Sequence, residues 1–459
     1  MRKTLALLLA VAFLYWAPPS PLLSIKSQTL GAPGKFQRVA NPIPNRYIVV
    51  LATTDFSPIA TATATPATTT PKSAQTSFDA AMTPESTAAS EVEGPVPTDP
   101  QVVTTATQLT ATYGGTFTDT WSATIKGFLL NSTEAEAIAM SGDSRVAFIV
   151  EDGAIAVGTP DTDPIVMTPD PGAFLNPQPN ASWGLDRIDQ RLLPLNQSYA
   201  YVNDGQGVNA YVIDTGILPT HYEFHQRAFA IYDAVDPEGN GIDCNGHGSH
   251  VAGTLGGQTF GVAKKVRLFG VRVLNCQGAG TWSDVIDGVN FVTWHRGQPG
   301  QQGSPAVANM SLGGATHRAV DAAVKNSIRA RVTYVVAAGN WNSDVANYSP
   351  AGLAEAITVG ATDRFDSRAE FSNYGSLLDL FAPGVSIPSA WIGGDLMIAT
   401  ATGTSMASPH VAGVVALYLQ SHPNASPADV RSALVGTSTT GVVRNPGQET
   451  PNRLLFTNY

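Results

Sequence analysis

Short apolar runs alternate with amphipathic stretches along the second half of the chain. Each run ends in a small or polar turn, and helical patterns such as 282–296 and 319–330 lie between several of them. Continuous apolar runs separated by helices are typical of a parallel sheet that helices cover on both faces. The pattern therefore predicts an α/β fold for about 176–459. The runs are VNAYVIDTG, VRLFGVRVL, PAVANMSLGG, VTYVVAAGN and AEAITVGA.

Elements of a smaller domain precede this region. Glycines directly after both of its helical segments are typical helix stops. A strand, a helix, strands, a helix and a strand in one short segment predict an α+β domain over 45–157. The elements are a strand at NRYIVVL, a helix at QVVTTATQLTATYGG, strands within GTFTDTWSATIKGFLLN, a helix at TEAEAIAMSG and a strand pair in RVAFIVEDGAIAV.

Two biased stretches interrupt this arrangement. Ala, Thr, Pro and Ser dominate about 57–100. Such a composition buries too little apolar surface to offset the entropy of ordering, so we expect a disordered insertion there. Pro and Asp are frequent in 158–175, which we expect to be a linker between the small domain and 176–459.

The N-terminus has the form of a secretory signal. Arg2 and Lys3 precede an apolar stretch over 4–16, which is too short to span a bilayer. We expect a signal peptide over 1–27, although APPSPLLS marks its cleavage site poorly. A buried or membrane-anchoring N-terminus is the alternative. No other segment has the pattern of a membrane span, so we expect a secreted, extracellular protein without stable membrane association.

Composition and charge restrict the class of partner. The 459 residues are 43% hydrophobic and 14% charged, enough for two or three domains with a large core. The formal net charge is -10, and the chain has no Lys/Arg-rich run. Acidic surfaces repel phosphate groups, which argues against nucleic acid and anionic membranes as partners.

The stretch GTSMASPHVAG contains the candidate nucleophile, Ser405. A helix beginning at Met406 would leave Ser405 at its N-terminus, where a serine is often only a cap. A serine attacks only when a base removes its proton, and that base needs an orienting acid. His247 lies in the glycine-flanked NGHGSHVAGT, and Asp214 ends the apolar strand YVIDTG. Asn340 ends another strand and can donate to an oxyanion together with the Ser405 N–H.

The cysteines allow a competing metal site. Zinc accepts sulfur and imidazole ligands, but the spacing here fits no common zinc pattern, and zinc would occupy the only credible base. A disulfide between the two cysteines fits an exported chain better. His250 and His410 are expected to pack inside helices, and the remaining histidines to be surface or structural residues. The candidate ligands are Cys244, His247, His250 and Cys276.

Three segments together resemble the aspartate, histidine and serine motifs of the subtilase superfamily: YVIDTGI, NGHGSHVAGT and GTSMASPHVAG. GVAKKVRLFGVRVL, NMSLGG, VVAAGN and FSNYG narrow the resemblance to the proteinase K family. WGLDRIDQRLLPL and PNRLLF are most similar to its aqualysin-type bacterial branch. The likeness covers nearly all of 180–459, while 45–157 resembles the inhibitor-type propeptide of these enzymes.

The resemblance implies a subtilisin-like α/β fold with a seven-stranded parallel sheet, preceded by a small α+β propeptide. It implies a secreted serine endopeptidase that cleaves itself between Val157 and Asn176, with its own propeptide as inhibitor and folding aid. Asp214, His247 and Ser405 would form the triad and Asn340 would bind the oxyanion. Substrate backbone would lie between Gly278, Ala279, Gly280 and Ser311, Leu312, Gly313, Gly314; the primary pocket would add Ala337, Ala338, Gly339.

Calcium is implied as a structural ion, with no cofactor for catalysis. Oxygen ligands of the implied kinds suit calcium. The first site would use Ala354, Ala356 and Asp379, and the second Asp186, Asp189 and Gln190. Near the second site, Asn196 and Gln197 depart from the Ser-Asn of the aqualysin branch.

Two other functions remain open at this level. A lipase or esterase would favour G-x-S-x-G, but Ala407 replaces the second glycine, and the acid precedes the histidine. A non-catalytic protein on the same scaffold would not need the complete set of four residues. For the endopeptidase we expect a monomer with broad specificity and a preference for apolar or aromatic side chains before the cut bond.

Overall fold

Residues 34–52 and 96–459 are described by the computed structural model. The expected signal peptide and most of the expected insertion at about 57–100 lie outside these ranges. Lys35–Tyr459 forms a single compact unit. No helix within the two described ranges is long and apolar enough to cross a bilayer.

The N-terminal part is a mixed sheet with two helices. Strand order is β1-β5-β2-β4-β3, and all neighbouring pairs are antiparallel except the parallel pair β1–β5. The elements are β1 (Phe36–Gln37), β2 (Pro42–Leu51), α1 (Pro100–Tyr113), β3 (Thr116–Trp121), β4 (Gly127–Asn131), α2 (Glu134–Ser141) and β5 (Val146–Ala156).

Alternation along β2 explains how this sheet buries both of its faces. Tyr47 and Val49 point toward α1 and α2, where they pack with apolar residues of those helices. Ile48 and Val50 point to the opposite face, because successive strand residues alternate, and they join a core with residues of the C-terminal part. The sheet of the N-terminal part is therefore packed between α1 and α2 on one face and the C-terminal part on the other.

The linker region contains β6 (Ile165–Val166) and a 3-10 turn (Pro171–Phe174), and β7 (Gln178–Pro179) follows it. The C-terminal part then continues with six α-helices and fifteen strands among the described residues. They are α3 (Trp183–Ile188), β8 (Ser198–Tyr199), β9 (Asn209–Asp214), β10 (Ala228–Asp233), α4 (His247–Gly256), β11 (Arg267–Arg272), β12 (Ala279–Thr281), α5 (Trp282–Arg296), β13 (Ala306–Met310), β14 (Gly314–Ala315), α6 (Arg318–Arg329), β15 (Val332–Ala337), β16 (Tyr348–Ser349), β17 (Ile357–Thr362), β18 (Leu380–Pro383), β19 (Ile387–Ala390), β20 (Met397–Ala401), α7 (Thr404–Ser421), α8 (Pro427–Thr437), β21 (Thr439–Thr440) and β22 (Arg453–Leu454).

The central sheet of the C-terminal part has the predicted parallel arrangement. Seven strands of four to six residues pair in the order β10-β11-β9-β13-β15-β17-β18, and every neighbouring pair is parallel. β22 extends this sheet in parallel by one pair, and β21 pairs antiparallel with β22. The expected α/β fold with a parallel sheet is confirmed.

Helices cover both faces of this sheet. Ala210 and Val212 of β9 face the core formed with α4 and α7, while Tyr211 and Ile213 face the core formed with α5 and α6. The carboxyl ends of parallel strands meet at one edge of a sheet. Asp214 ends β9, Ser311 follows β13, and Asn340 lies three residues after the end of β15 at Ala337, so all three belong to that edge.

The segment 145–157 differs from its prediction, because it forms one long strand instead of a strand pair. The first part of β5 pairs with β2, and its last residues, Ala154 to Ala156, pair antiparallel with β12. Gly153 lies where the strand passes from one partner to the other and makes no turn. The second partner is remote in sequence, so local patterning could not reveal it and predicted a strand pair.

Helix α5 carries most polar contacts between the two parts. Asn290 Oδ1 accepts from the N–H of Ala123 at 2.8 Å, and Asp152 accepts from the Ser283 hydroxyl at 2.8 Å. Asp287 accepts from the Trp121 indole N–H. Burial, followed by the charge of nearby Asp119, raises the pKa of Asp287 well above its usual range. The interface is thus apolar at its core, and hydrogen bonds to α5 account for most of its polar contacts, with further ones from His317, from Asn326 and from β12.

Candidate active site

An acid and an imidazole meet where β9 ends and α4 begins. Asp214 is fully buried, and His247 is 4% exposed. His247 Nδ1 and Asp214 Oδ1 are 2.8 Å apart, and the N–H of Thr215 donates to the same oxygen at 2.8 Å. A ring that donates through Nδ1 keeps Nε2 available as a base.

A second carboxylate, that of Asp243, holds the start of α4. Its oxygens accept five hydrogen bonds of 2.7 to 2.9 Å. The donors are the Thr215 hydroxyl, the N–H groups of Asn245 and Gly246, and both the N–H and the hydroxyl of Ser249. Because Thr215 follows Asp214 directly, Asp243 ties the acid strand to the helix that carries His247.

The pKa of His247 reflects these neighbours. Burial of the ring, the largest single influence, lowers the pKa because it disfavours the charged form. The charge of Asp214, its hydrogen bond to the ring and the charge of Asp243 act in the opposite direction and prevail, so the pKa of His247 is raised. The two carboxylates together stabilise an imidazolium at this position.

Ser405 lies in the first turn of α7, which begins at Thr404, earlier than the predicted Met406. The N-cap is Gly403, so the capping role considered for Ser405 belongs to another residue. The Ser405 hydroxyl donates to the Ser311 carbonyl at 3.1 Å, and the Ser311 hydroxyl donates to the Ser405 carbonyl at 2.7 Å. Within the described ranges no hydrogen bond joins the Ser405 hydroxyl to His247.

The sheet register nevertheless brings Ser405 close to the acid. Asn309 of β13 pairs with Val212 of β9, so Ser311 is level with Asp214 on the neighbouring strand. Neighbouring strands are about 4.8 Å apart. Ser405 is hydrogen-bonded to Ser311, and a rotation about its Cα–Cβ bond would release its hydroxyl from the Ser311 carbonyl. Catalytic hydrogen bonds often form fully only when substrate binds.

Asn340 is held beside the start of α7. Its Oδ1 accepts from the N–H and from the hydroxyl of Thr404, both at 2.9 Å. Because the oxygen is fixed in this way, the Nδ2 donor is directed away from Thr404, on the side of Gly403. Asn340 is solvent-exposed, and the first-turn N–H groups of a helix lack partners inside the helix. Two hydrogen-bond donors, Asn340 Nδ2 and the Ser405 N–H, therefore lie at the start of α7.

The expected substrate strands enclose a segment of the chain itself. Ala156, Ile155 and Ala154 pair antiparallel with Ala279, Gly280 and Thr281, and the N–H of Val157 donates to the Gly278 carbonyl at 2.9 Å. On the other side, a Cβ built at Gly314 would lie 3.6 Å from a methyl carbon of Ile155. The segment thus lies between 278–281 and 311–314.

The expected primary pocket has apolar walls. Leu312, Ala337 and Ala338 are buried, and they bring no charge to the site. Gly339 has a φ of +98°, and a Cβ there would come within 3 Å of the Trp341 ring. A side chain at Gly339 is therefore excluded both by the backbone conformation and by the ring.

The two cysteines, Cys244 and Cys276, are joined in a disulfide. Both sulfurs are consumed by this bond, so neither can act as the thiolate ligand that the competing zinc site needs. His250 and His410 are buried in helices and bond the carbonyls of Ile387 and Met406, as packed helix residues do.

One of the two candidate calcium sites has an unsatisfied oxygen. Asp189 Oδ1 is buried without a hydrogen-bond partner in the described ranges. Burial, and to a smaller extent the charge of Asp186, raises the pKa of Asp189 to about 6. Asp186 accepts the N–H groups of Asn196 and Gln197, so the two residues that depart from the aqualysin branch still close this loop. Two adjacent carboxylates with an orphaned oxygen fit a calcium ion.

The other candidate site already contains a positive charge. Asp379 Oδ1 is 2.5 Å from the Arg431 guanidinium, and Asp379 Oδ2 accepts from the N–H of Thr358 at 2.9 Å. A calcium ion bound there with the carbonyls of Ala354 and Ala356 would have to displace Arg431. The donor set of this site fits calcium less well than that of Asp186 and Asp189.

Comparisons with known proteins agree with this geometry. A family model described as the subtilase family matches residues 205–454. The extracellular serine proteinase of Thermus sp. (strain Rt41A) is 50% identical over 74% of this chain and 77% of its own length. The chain belongs to the subtilase family.

Further relatives place this subtilase among serine proteases. The alkaline serine exoprotease A of Vibrio alginolyticus is 47% identical over 72% of this chain and 58% of its own length. A crystal structure of a cold-adapted subtilisin-like serine proteinase superposes with a TM-score of 0.58 at 50% identity, covering 61% of this chain and 99% of that one. The expected subtilisin-like fold and the serine-type endopeptidase class are confirmed.

The sequence alone did not single out Asp243 or the hydroxyl of Ser311. Asp243 has a usable signal, because it stands four residues before His247, just ahead of a helix N-terminus that favours negative charge. Ser311 has no such signal. Its contact with Ser405 depends on the pairing of β13 with β9 and on the position of α7.

Replacing Asp243 by Asn should lower the pKa of His247, because the substitution removes a negative charge that stabilises the imidazolium. The pKa is measured by NMR titration of the His247 ring. Asp236→Asn, an exposed aspartate in the same connection, serves as the matched control and should leave it unchanged. A folded Asp243→Asn protein with an unchanged His247 titration would contradict the role given to Asp243.

Proposed function

We propose that this subtilase is a secreted endopeptidase that cleaves peptide bonds through Asp214, His247 and Ser405, with Asn340 as oxyanion donor. The observation that carries the proposal is the 2.8 Å contact between His247 and Asp214 at the sheet edge where Ser405 also lies. Relatives named as an extracellular serine proteinase and an exoprotease support export and protease activity.

In the proposed reaction the Ser405 hydroxyl leaves the Ser311 carbonyl and attacks the substrate carbonyl carbon. Its proton passes to His247 Nε2, and Asp214 stabilises the imidazolium. Asn340 Nδ2 and the Ser405 N–H donate to the oxyanion. The C–N bond then breaks as His247 protonates the leaving amine. Water next attacks the acyl-enzyme carbonyl while His247 takes its proton, and the ester C–O bond breaks as His247 returns the proton to the Ser405 oxygen.

Substrates are proposed to bind as an added strand between 278–281 and 311–314, the place that 154–157 takes in this structure. Main-chain pairing gives affinity without regard to sequence, so specificity should be broad. The uncharged walls at Leu312, Ala337 and Ala338 favour apolar or aromatic side chains before the cut bond. A digest of a peptide library would contradict this preference if Lys or Arg dominated that position.

The N-terminal part, 45–157, is proposed to be an inhibitory propeptide and folding aid. Its last strand lies between 278–281 and 311–314, where the substrate strand is proposed to bind, and its sheet buries Ile48 and Val50 against the C-terminal part. Cleavage between Val157 and Asn176 would separate the two. The enzyme is proposed to act as a monomer.

Ser405→Ala should accumulate as an unprocessed precursor, and its kcat should fall on the order of 10⁶-fold, because the nucleophile is lost. Electrophoresis with N-terminal sequencing, and hydrolysis of casein, provide the two readouts. Ser432→Ala, which changes an exposed serine, is the control and should mature normally. Normal maturation of Ser405→Ala expressed alone would overturn the assignment of the nucleophile.

Calcium is proposed to bind Asp186, Asp189 and Gln190, where it would neutralise two carboxylates and so stabilise the fold. Chelation should lower the melting temperature, since a ligand at 100 times its Kd stabilises by about 2.7 kcal/mol. Asp189→Asn should abolish most of the calcium-dependent shift, and Glu370→Gln, an exposed control, should retain it.

Scanning calorimetry with and without calcium measures the effect. Asp379→Asn completes the set, because it tests the site that Arg431 competes for. If Asp189→Asn keeps the full shift and Asp379→Asn loses it, calcium binds at Asp379 and the proposed site is wrong.

A further inference from the structure

The linker after the N-terminal part is bound to the C-terminal part along β20. Ile165 and Val166 of β6 pair antiparallel with Ile398 and Met397. The N–H of Met167 donates to the Leu396 carbonyl at 2.8 Å, which continues the same pairing. The expected linker is therefore an added strand over this stretch.

The pairing begins close to the proposed nucleophile. The N–H of Asp161 donates to the Thr400 carbonyl at 2.8 Å, and the Thr402 hydroxyl donates to the Asp161 carboxylate. The N–H of Thr400 also donates to the Thr162 hydroxyl at 3.4 Å. Thr402 is three residues before Ser405, so the linker starts its pairing directly beside the site.

The chain thus crosses the site between two anchors. Val157 is anchored to Gly278 on one side, and Asp161 is anchored to Thr400 on the other. Four residues in an extended chain span at most about 14 Å, so there is little room for a detour. The peptide bonds between Val157 and Asp161 are therefore the first candidates for cleavage by Ser405.

Strand β20 would be an edge without this linker. β20 pairs with β19 on one side and with β6 on the other, and these three strands form a separate sheet. An edge strand presents unpaired N–H and C=O groups that bind another extended chain. Nothing in this pairing depends on the side chains of Ile165 and Val166, which are 62% and 68% exposed.

We propose that β20 is a strand-addition site for the polypeptide that follows the cut bond, and that 161–167 occupies it as an inhibitory strap. The proposal rests on the proposed endopeptidase function. The first cut falls between Val157 and Asp161. It breaks one C–N bond, and water supplies the hydroxyl to the new carboxyl group and the proton to the new amine. The strap then remains on β20 until a second cut after Met167 removes it.

The strap and the propeptide differ in how they are held after the first cut. The propeptide is no longer covalently attached and can dissociate. The strap stays joined to the C-terminal part, where Gln258 Nε2 donates to the Ala173 carbonyl and Asn176 Nδ2 donates to the Tyr201 carbonyl. A short tether keeps the strap at an effective concentration in the millimolar range, independent of dilution.

The test follows maturation of the full chain by mass spectrometry and N-terminal sequencing. At each time point, activity is measured on two substrates. One is a fluorescence-quenched peptide with several residues after the cut bond, and the other is a peptide anilide with none. The species beginning at 158–161 should cleave the extended peptide roughly tenfold more slowly than the species beginning after Met167. The anilide should be affected less, because it has no residues to place on β20.

A matched pair of variants isolates the strap. Asp161→Ala/Thr162→Ala removes the two side chains that accept hydrogen bonds from Thr402 and from Thr400 of β20. This double variant should reduce the tenfold difference to about twofold. Asp163→Ala/Thr168→Ala removes the same residue types from exposed positions of the linker and should retain the difference. The readout is the ratio of activities, so a changed rate of the first cut does not affect it.

Three outcomes would overturn the strap. The first is equal activity of the two species on the extended peptide. The second is an equal response of the two double variants. The third is a first cut that falls directly after Met167, since no strapped form would then exist. In each of these the chain still cuts itself, so the proposed function survives; a wild-type chain that makes no cut would refute the proposed function instead.

Discussion

The candidate site depends on the parallel register of β9, β13 and β15. Because Asn309 pairs with Val212 and Met310 with Val336, the residues that leave these three strands emerge level with one another. Asp214 and Ser311 are thereby placed about one strand spacing apart. The helices α4 and α7 begin at the same edge, and they bring His247 and Ser405 to side chains that the sheet has already fixed.

Two buried carboxylates, those of Asp214 and Asp243, bring negative charge to this edge of the sheet. An isolated buried charge is strongly unfavourable, and here each carboxylate has donors: five hydrogen bonds reach Asp243, while His247 and the Thr215 N–H both contact Asp214 Oδ1. Asp214 Oδ2 is buried without a hydrogen-bond partner among the described residues. The same arrangement raises the pKa of His247 against the effect of its burial. The carboxylates that hold the acid strand and the start of α4 in place therefore also stabilise a protonated imidazole.

Local patterns predicted what is determined locally. Helix α5 covers the predicted 282–296, and the apolar runs of the C-terminal part became the strands of the parallel sheet. The motifs also indicated Asp214 and His247, which the structure joins. Patterns failed where the partner is remote: the strand pair expected around Gly153 is one strand because β12 continues it, and a Pro/Asp-rich linker became β6 because β20 offers an edge.

Main-chain pairing at β12 and β20 has a consequence for control. A cleft that reads only backbone groups cannot distinguish a substrate from the chain's own segments, since all present the same N–H and C=O groups. Occupancy is then decided by attachment and local concentration rather than by side-chain complementarity. This explains how a stretch as polar and proline-rich as 158–166 can pair with β20 while the apolar end of β5 pairs with β12: both pairings use the same kind of backbone contact, and covalent continuity holds the two segments side by side.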